Sequence, residues 1–238
     1  MDLTATARGV LAALMAVLLT LPAAVLAEDG GTSANPGGGA TYLEAPAAGA
    51  GISLRVAPGA WLNRATRIRG RSAELAGRTI AIERRRSRRE GWVPVASIRA
   101  ADDGSFATRW RPAAAGRHEL RALAATASSA ESSGARAASV VERVTVYRRV
   151  TATWYGPGFY GNRTACGQRL TTRTQGVAHK TLPCGTKVAI RVNGRSTVVP
   201  VIDRGPYAHG VAYDLAGATA RRLGVTYTSR IGAAVLTR

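Results

Sequence analysis

The segment TATWYGPGFYGNRTACGQRL, Thr151–Leu170, decides the fold of the C-terminal part of the chain. It starts as an alternating strand, then fills with glycines and carries Cys166, one of only two cysteines. Downstream, KVAIRV, STVVPVID and IGAAVL alternate apolar and polar positions as half-buried strands do. Between them AGATARRLG reads as a short helix opened by Asp214. Several strands and one helix within residues 150–238 predict a small closed β-barrel.

Upstream the text is of another kind. From residue 52 to 148 seven short runs, ISLRVA, TRIRGR, TIAIERR, WVPVASIRA, SFATRW, HELRALA and SVVERVTVY, place apolar side chains at every second position. Turn signals separate them, among them Asp102-Asp103-Gly104, and the pattern predicts an immunoglobulin-like β-sandwich. Trp92 and Trp110 are its candidate core aromatics. The whole chain therefore reads as all-β, with ERRRSRRE (Glu83–Glu90) as a hairpin tip and ATASSAESSGARAAS as a long loop. The arginines of that tip are read as a solvated, self-repelling cluster, with attraction to anionic polymers as a secondary effect.

Residues 1–27 have the layout of a secretory signal: Arg8, the apolar run Val10–Leu21, then Val25-Leu26-Ala27 ahead of Glu28. The run is too short to span a bilayer comfortably, so the mature protein is expected to be secreted, wall-associated and free of the membrane. Residues 28–51, rich in Gly, Ala and Pro, predict a flexible linker. The formal charge is +19, and Lys180 and Lys187 are the only lysines. Inside a cell such a balance would suggest nucleic acid; export removes that partner and leaves anionic wall polymers. Two cysteines in an exported chain most simply form one disulfide. A metal site has no CxxC pair to support it, and the three histidines are scattered.

In order, ATWYGPGFYGNRTACG, GVAHKTLPCGTKV, VIDRGP and YDLAGATARRLG resemble the RlpA-like (rare lipoprotein A) family over residues 150–238. The resemblance implies a six-stranded double-psi β-barrel, distantly expansin- and barwin-like. It also implies lytic transglycosylase action on peptidoglycan glycan strands, cleaving the MurNAc-GlcNAc bond with no cofactor. An expansin-like protein that only binds or loosens the wall is the alternative.

The resemblance carries residues over one by one. Asp203 matches the DRGP aspartate, a proposed catalytic group; its competing role is to cap a turn. Asp214 matches a wall-polysaccharide aspartate and competes with a helix N-cap. These two are the only carboxylates after Glu142. His179 is a candidate to bind sugar or orient Asp203, or a barrel histidine satisfied by backbone. Tyr155, Gln168, Arg204 and Tyr207 are expected to contact glycan, with Trp154 on the opposite face from Tyr155. Many family members carry Glu where Gln168 stands, and an amide cannot act as a general acid. Cys166 and Cys184 are expected to be bridged, pinning the Gln168 loop to the TLPCG turn.

Overall fold

The computed structural model describes residues 51–125 and 141–236. The expected signal segment, nearly all of the expected linker and most of the ATASSAESSGARAAS loop lie outside the described residues. Among the described residues no helix is long and apolar enough to cross a membrane.

The first part is two facing sheets. β1 (Ser53–Val56), β3 (Thr66–Arg71) and β6 (Ser105–Trp110) form one antiparallel sheet in the order β1-β3-β6. The second contains β5 (Val93–Arg99), β4 (Thr79–Arg85), β7 (Gly116–Ala124) and β8 (Glu142–Tyr155), with β2 (Gly59–Trp61) parallel to β8. Alternation aims Ile68, Ile80, Ile82, Leu120, Val144 and Val146 inward, where all are fully buried with Phe106 and Trp110 close by. The Asp102-Asp103-Gly104 turn, which reads as a hairpin in the sequence, forms a turn but closes no hairpin: it carries the chain from β5 in one sheet to β6 in the other. Gly104 has φ +77° and sits so close over the Ser72 carbonyl that no side chain would fit. Trp92 is not in this core; it lies between the Arg85 and Arg121 guanidiniums, 4.4 and 4.2 Å from its ring centre. Preceding β5 on the solvent side, it has no inward register position and is held by cations instead.

The second part is a closed barrel. β8 pairs with β13 (Ser229–Leu236), which pairs with β10 (Lys187–Val192), then β11 (Arg195–Asp203), β9 (Val177–Ala178) and β12 (Tyr213–Ala216). β12 returns to β8 in parallel and closes the ring at six strands. Ala152, Val177, Val188, Ile190, Val201, Leu215 and Ile231 fill its interior. Helix α1 (Gly217–Leu223) packs beside it and ends at Gly224, φ 72°. Its N-cap is Ala216, so Asp214 is not the cap its sequence position suggests; it belongs to β12.

One strand serves both parts. β8 runs 14 residues without glycine or proline, and its Val144 and Val146 sit in the core of the two-sheet part while Ala152 sits in the barrel. At the junction Tyr147, Ala189 and Ala234 form their own apolar cluster with Trp61 and Leu236.

Candidate active site

Both carboxylates of the barrel reach one cleft. Asp214 of β12 and Asp203 of β11 are each the register partner of Ala178 on the strand between them. Thr153 of β8 pairs with Asp214 on its other side. The four therefore make a lateral row, Thr153–Asp214–Ala178–Asp203, and all four line a cleft of about 290 Å³. Two strand spacings put the aspartate backbones roughly 10 Å apart, with only a methyl group between them.

Strict alternation would have hidden Asp203. Val199 and Val201 face the barrel interior, and the next position of the same parity is Asp203. A register shift between Val201 and Asp203 supplies one extra residue, Ile202, which packs with Leu170 and Ala216. That bulge re-aims the following side chain and turns Asp203 into the cleft.

The Asp203 carboxylate is fixed by two backbone donors, the Ala165 and Arg204 N–H groups, at 2.8 and 2.9 Å from Oδ1. The Ala165 donor sits on the loop that the Cys166–Cys184 disulfide ties to the TLPCG turn, with Cα atoms 5.7 Å apart. The Cys166 N–H also donates to the Ile202 carbonyl at 3.3 Å. The bridge thus braces the donor that holds Asp203.

Asp214 has a different environment. Burial pushes its carboxyl above the usual range, the 2.8 Å hydrogen bond from Thr153 Oγ1 pulls the other way, and the Asp203 charge adds to the rise. Tyr155 stands beside both. Its hydroxyl is buried with no hydrogen-bond partner among the described residues. Burial first, then the Asp203 and Asp214 charges, hold its proton far more tightly than an ordinary phenol does. Its ring meets Phe159 edge-on at 6.2 Å.

The remaining expected residues divide. Tyr207 lines the cleft and is 85% exposed, and Phe159, 56% exposed, faces it. Trp154 points away, its Nε1 donating to the Thr226 carbonyl. Arg204 lines the cleft but forms no ion pair with Asp203. Its Nη1 donates to the Leu182 and His179 carbonyls at 3.0 and 3.4 Å, and its Nη2 to Cys184 Sγ at 3.5 Å. His179 follows Ala178 on the chain and turns away from the cleft, its ring 4.9 Å from that of buried Tyr213. Its Nδ1 accepts the Thr181 and Leu182 amides, so the backbone satisfies it. Burial, then Arg204 and Lys180, lower its proton affinity. Gln168 is exposed on the loop and is not among the lining residues, although its carbonyl accepts the Thr164 N–H.

Thr153 and Phe159 are the additions to the expected set. Thr153 shares the strand parity of Tyr155, which was the available signal. No cluster of His, Cys, Asp or Glu able to hold a metal ion occurs among the described residues.

The family described as "Lytic transglycolase" matches residues 147–235. These residues are an RlpA-like double-psi β-barrel domain. A protein of Synechocystis named probable endolytic peptidoglycan transglycosylase RlpA is 38% identical over 128 residues, covering 53% of this chain and 39% of that one. Its Aquifex aeolicus counterpart is 41% identical over 87 residues, 36% of this chain and 38% of that one. The Vibrio cholerae endolytic peptidoglycan transglycosylase RlpA is 45% identical over 76 residues, 31% of this chain and 29% of that one. The chain thus spans well under half the length of these relatives. The RlpA-like part is the barrel that holds the cleft, and the two-sheet part lies almost wholly outside the family match.

Proposed function

We propose that the barrel cuts peptidoglycan glycan strands as an endolytic lytic transglycosylase, in the cleft between Asp203 and Asp214. The observation that carries this reading is the row in which two carboxylates of unlike environment flank Ala178 across an open cleft. Environments that differ in this way separate acid from base. Asp214, whose raised proton affinity keeps it protonated to higher pH, is the acid. Asp203, oriented by two amide donors, is the base.

In the reaction Asp214 gives its proton to the glycosidic oxygen as the C1–O bond breaks. Asp203 takes the proton of the MurNAc 6-hydroxyl, whose oxygen bonds to C1 and closes the 1,6-anhydro ring. Asp203 then carries a proton and Asp214 a charge, and exchange with solvent restores both. No cofactor is needed. Phe159 and Tyr207 offer exposed ring faces for sugars at the rim. In this assignment Asp214 takes the place of the acid that Gln168 cannot supply. His179 and Arg204 are positioning groups that hold the turn 179–184 against Asp203.

The compartment follows from the same reading: residues 1–27 are a cleaved signal, 28–51 a tether, 52–148 an immunoglobulin-like sandwich and 150–238 the enzymatic barrel, acting in the cell wall. The mature protein incubated with purified sacculi should release anhydro-muropeptides detectable by mass spectrometry. Asp203→Asn should abolish them. Retained pull-down on sacculi with no anhydro product at high protein load would leave the expansin-like, binding-only reading standing instead.

A further inference from the structure

Among the described residues, the unpaired block of positive charge laid across a strand register is not the arginine-rich hairpin. Around ERRRSRRE, acids answer part of the charge: Arg84 pairs with Glu90 at 3.0 Å, Arg85 with Glu119 at 2.7 Å, and Arg121 with Glu83 at 2.7 Å, which leaves Arg86, Arg88 and Arg89 at the tip without an ion pair among the described residues. Arg143 adds a longer contact to Glu119. The Arg85–Glu119, Arg121–Glu83 and Arg143–Glu119 pairs are cross-strand, on the outer face of the β4–β7–β8 sheet, whereas Arg84–Glu90 closes within the hairpin itself.

The opposite sheet is built otherwise. On its outer face β1 presents Ser53 and Arg55, β3 presents Arg67, Arg69 and Arg71, and β6 presents Ser105, Ala107 and Arg109. No acidic side chain occupies an outward position there. Register sets like against like: Arg55 lies opposite Arg69, and Arg67 opposite Arg109. Like charges directly opposed on a sheet destabilise it. Arg71 is engaged at the edge, its Nε donating to the Asp103 carbonyl at 3.2 Å. Arg55, Arg67, Arg69 and Arg109 are exposed, and their side chains have no ion-pair or hydrogen-bond partner among the described residues. A shallow depression of about 290 Å³ runs between Arg67, Ala107, Thr108 and Arg109.

We propose that this β1–β3–β6 face binds a phosphodiester-linked polyanion of the cell wall and holds the enzyme near its substrate. The compartment in this proposal rests on the proposed peptidoglycan function. The argument is charge complementarity with a geometry. Successive outward arginines on β3 repeat about every 6.8 Å, twice the strand rise. That suits successive phosphates of a short-polyol phosphodiester chain lying along the strand, flanked by Arg55 and Arg109. Every cation on the face is arginine, whose planar fork takes two phosphate oxygens at once where lysine offers a point charge. A bound polyanion also removes the repulsion between opposed arginines, which supplies a reason for an arrangement that costs stability in isolation.

The test uses the full mature chain and fluorescently labelled poly(glycerol phosphate). Arg67→Gln, Arg69→Gln and Arg109→Gln combined should weaken binding by about tenfold or more and flatten its salt dependence. The thermal midpoint should not fall, because the substitutions relieve like-charge pairs. Arg86→Gln, Arg88→Gln and Arg89→Gln combined, on the hairpin, should leave affinity unchanged. The proposal is overturned if the hairpin variant loses binding and the face variant keeps it. It is equally overturned if poly-glutamate, DNA or vesicles of anionic lipid bind as tightly as the phosphate polymer at equal charge. Anhydro-muropeptide release from sacculi stripped of phosphate polymers reads the catalytic proposal separately and should be the same for the face variant and the parent.

Discussion

Thr153 Oγ1 donates a 2.8 Å hydrogen bond to Asp214 Oδ1 across the parallel β8–β12 pair, and that bond opposes the burial that raises the Asp214 proton affinity. Thr153 thereby tunes the proposed acid without touching the bond to be broken. Thr153→Val keeps the shape and removes the donor. The Asp214 carboxyl should then hold its proton to still higher pH, and the alkaline limb of the kcat profile should move upward. Peak kcat should fall on the order of tenfold, with KM little changed, because a weaker acid transfers its proton less readily. Thr153→Ser should restore the parent pH profile. A pH profile that stays in place in Thr153→Val would show that Asp214 is not the titrating acid.

Asp214→Asn separates catalysis from stability. Asp214 has a raised folded-state pKa, so the folded protein holds a proton where the unfolded chain has released it. Ionisation of Asp214 therefore costs stability above the raised pKa, and the cost disappears as pH falls through it. Asparagine removes that cost while still accepting from Thr153. The variant should melt higher than the parent at pH 7, and the difference should shrink as the buffer is taken below the raised pKa. Its anhydro-muropeptide release should fall by about 10²- to 10⁴-fold. Thermal scans of both proteins at pH 4 and pH 7 check the first part; a lower midpoint for the variant at pH 7 would contradict it.

The bridge between Cys166 and Cys184 spans 18 residues and braces the Ala165 amide that holds Asp203. Closing a loop of that length is worth about 3 kcal/mol in chain entropy. Reduction should add two mass units, lower the melting temperature, and lower kcat in the fraction that remains folded. An unchanged mass on reduction would remove the bridge from the account.

Much of the barrel was legible because its strands alternate cleanly and its motifs fall in a familiar order. The placement of Asp203 was not. Val199, Val201 and Asp203 share one parity, so periodicity alone points the carboxylate into an apolar interior; only the extra residue at Ile202 reverses it. A bulge depends on pairing with β9, a two-residue strand too short to announce itself. His179 and Arg204 look chemical in sequence because both are polar and motif-borne. Their donors and acceptors are taken up by backbone groups of the 179–184 turn, which no spacing rule reveals. Trp92 was expected in the core because large aromatics usually are, but flanking arginines on neighbouring strands offered it a second home. Glu83–Glu90 is the denser run of charge in the sequence, but which arginines meet acids depends on cross-strand register: Arg85 meets Glu119, whereas the three arginines of TRIRGR share one face and find no acids opposite.

The shared strand β8 makes a prediction about folding. Tyr147 is buried at the middle of β8, its ring 6.1 Å from Trp61 and beneath the Arg191 guanidinium of β10. Gly232 of β13 leaves no room for a side chain there because Trp61 and Tyr147 fill the space. The two-sheet part and the barrel therefore share one strand and pack through one aromatic cluster, with the Arg191 hydrogen bond to the Gly59 carbonyl beside it. Denaturant unfolding monitored by tryptophan fluorescence and by far-UV circular dichroism should give coincident transitions. Tyr147→Ala, which empties the junction, should cost about 3–5 kcal/mol, as large-to-small changes in a packed core do. It should lower stability as seen by both probes together, since β8 cannot leave one module and stay in the other. Two separate transitions in the parent protein, with only one displaced in the variant, would mean that the strand joins two independently stable modules.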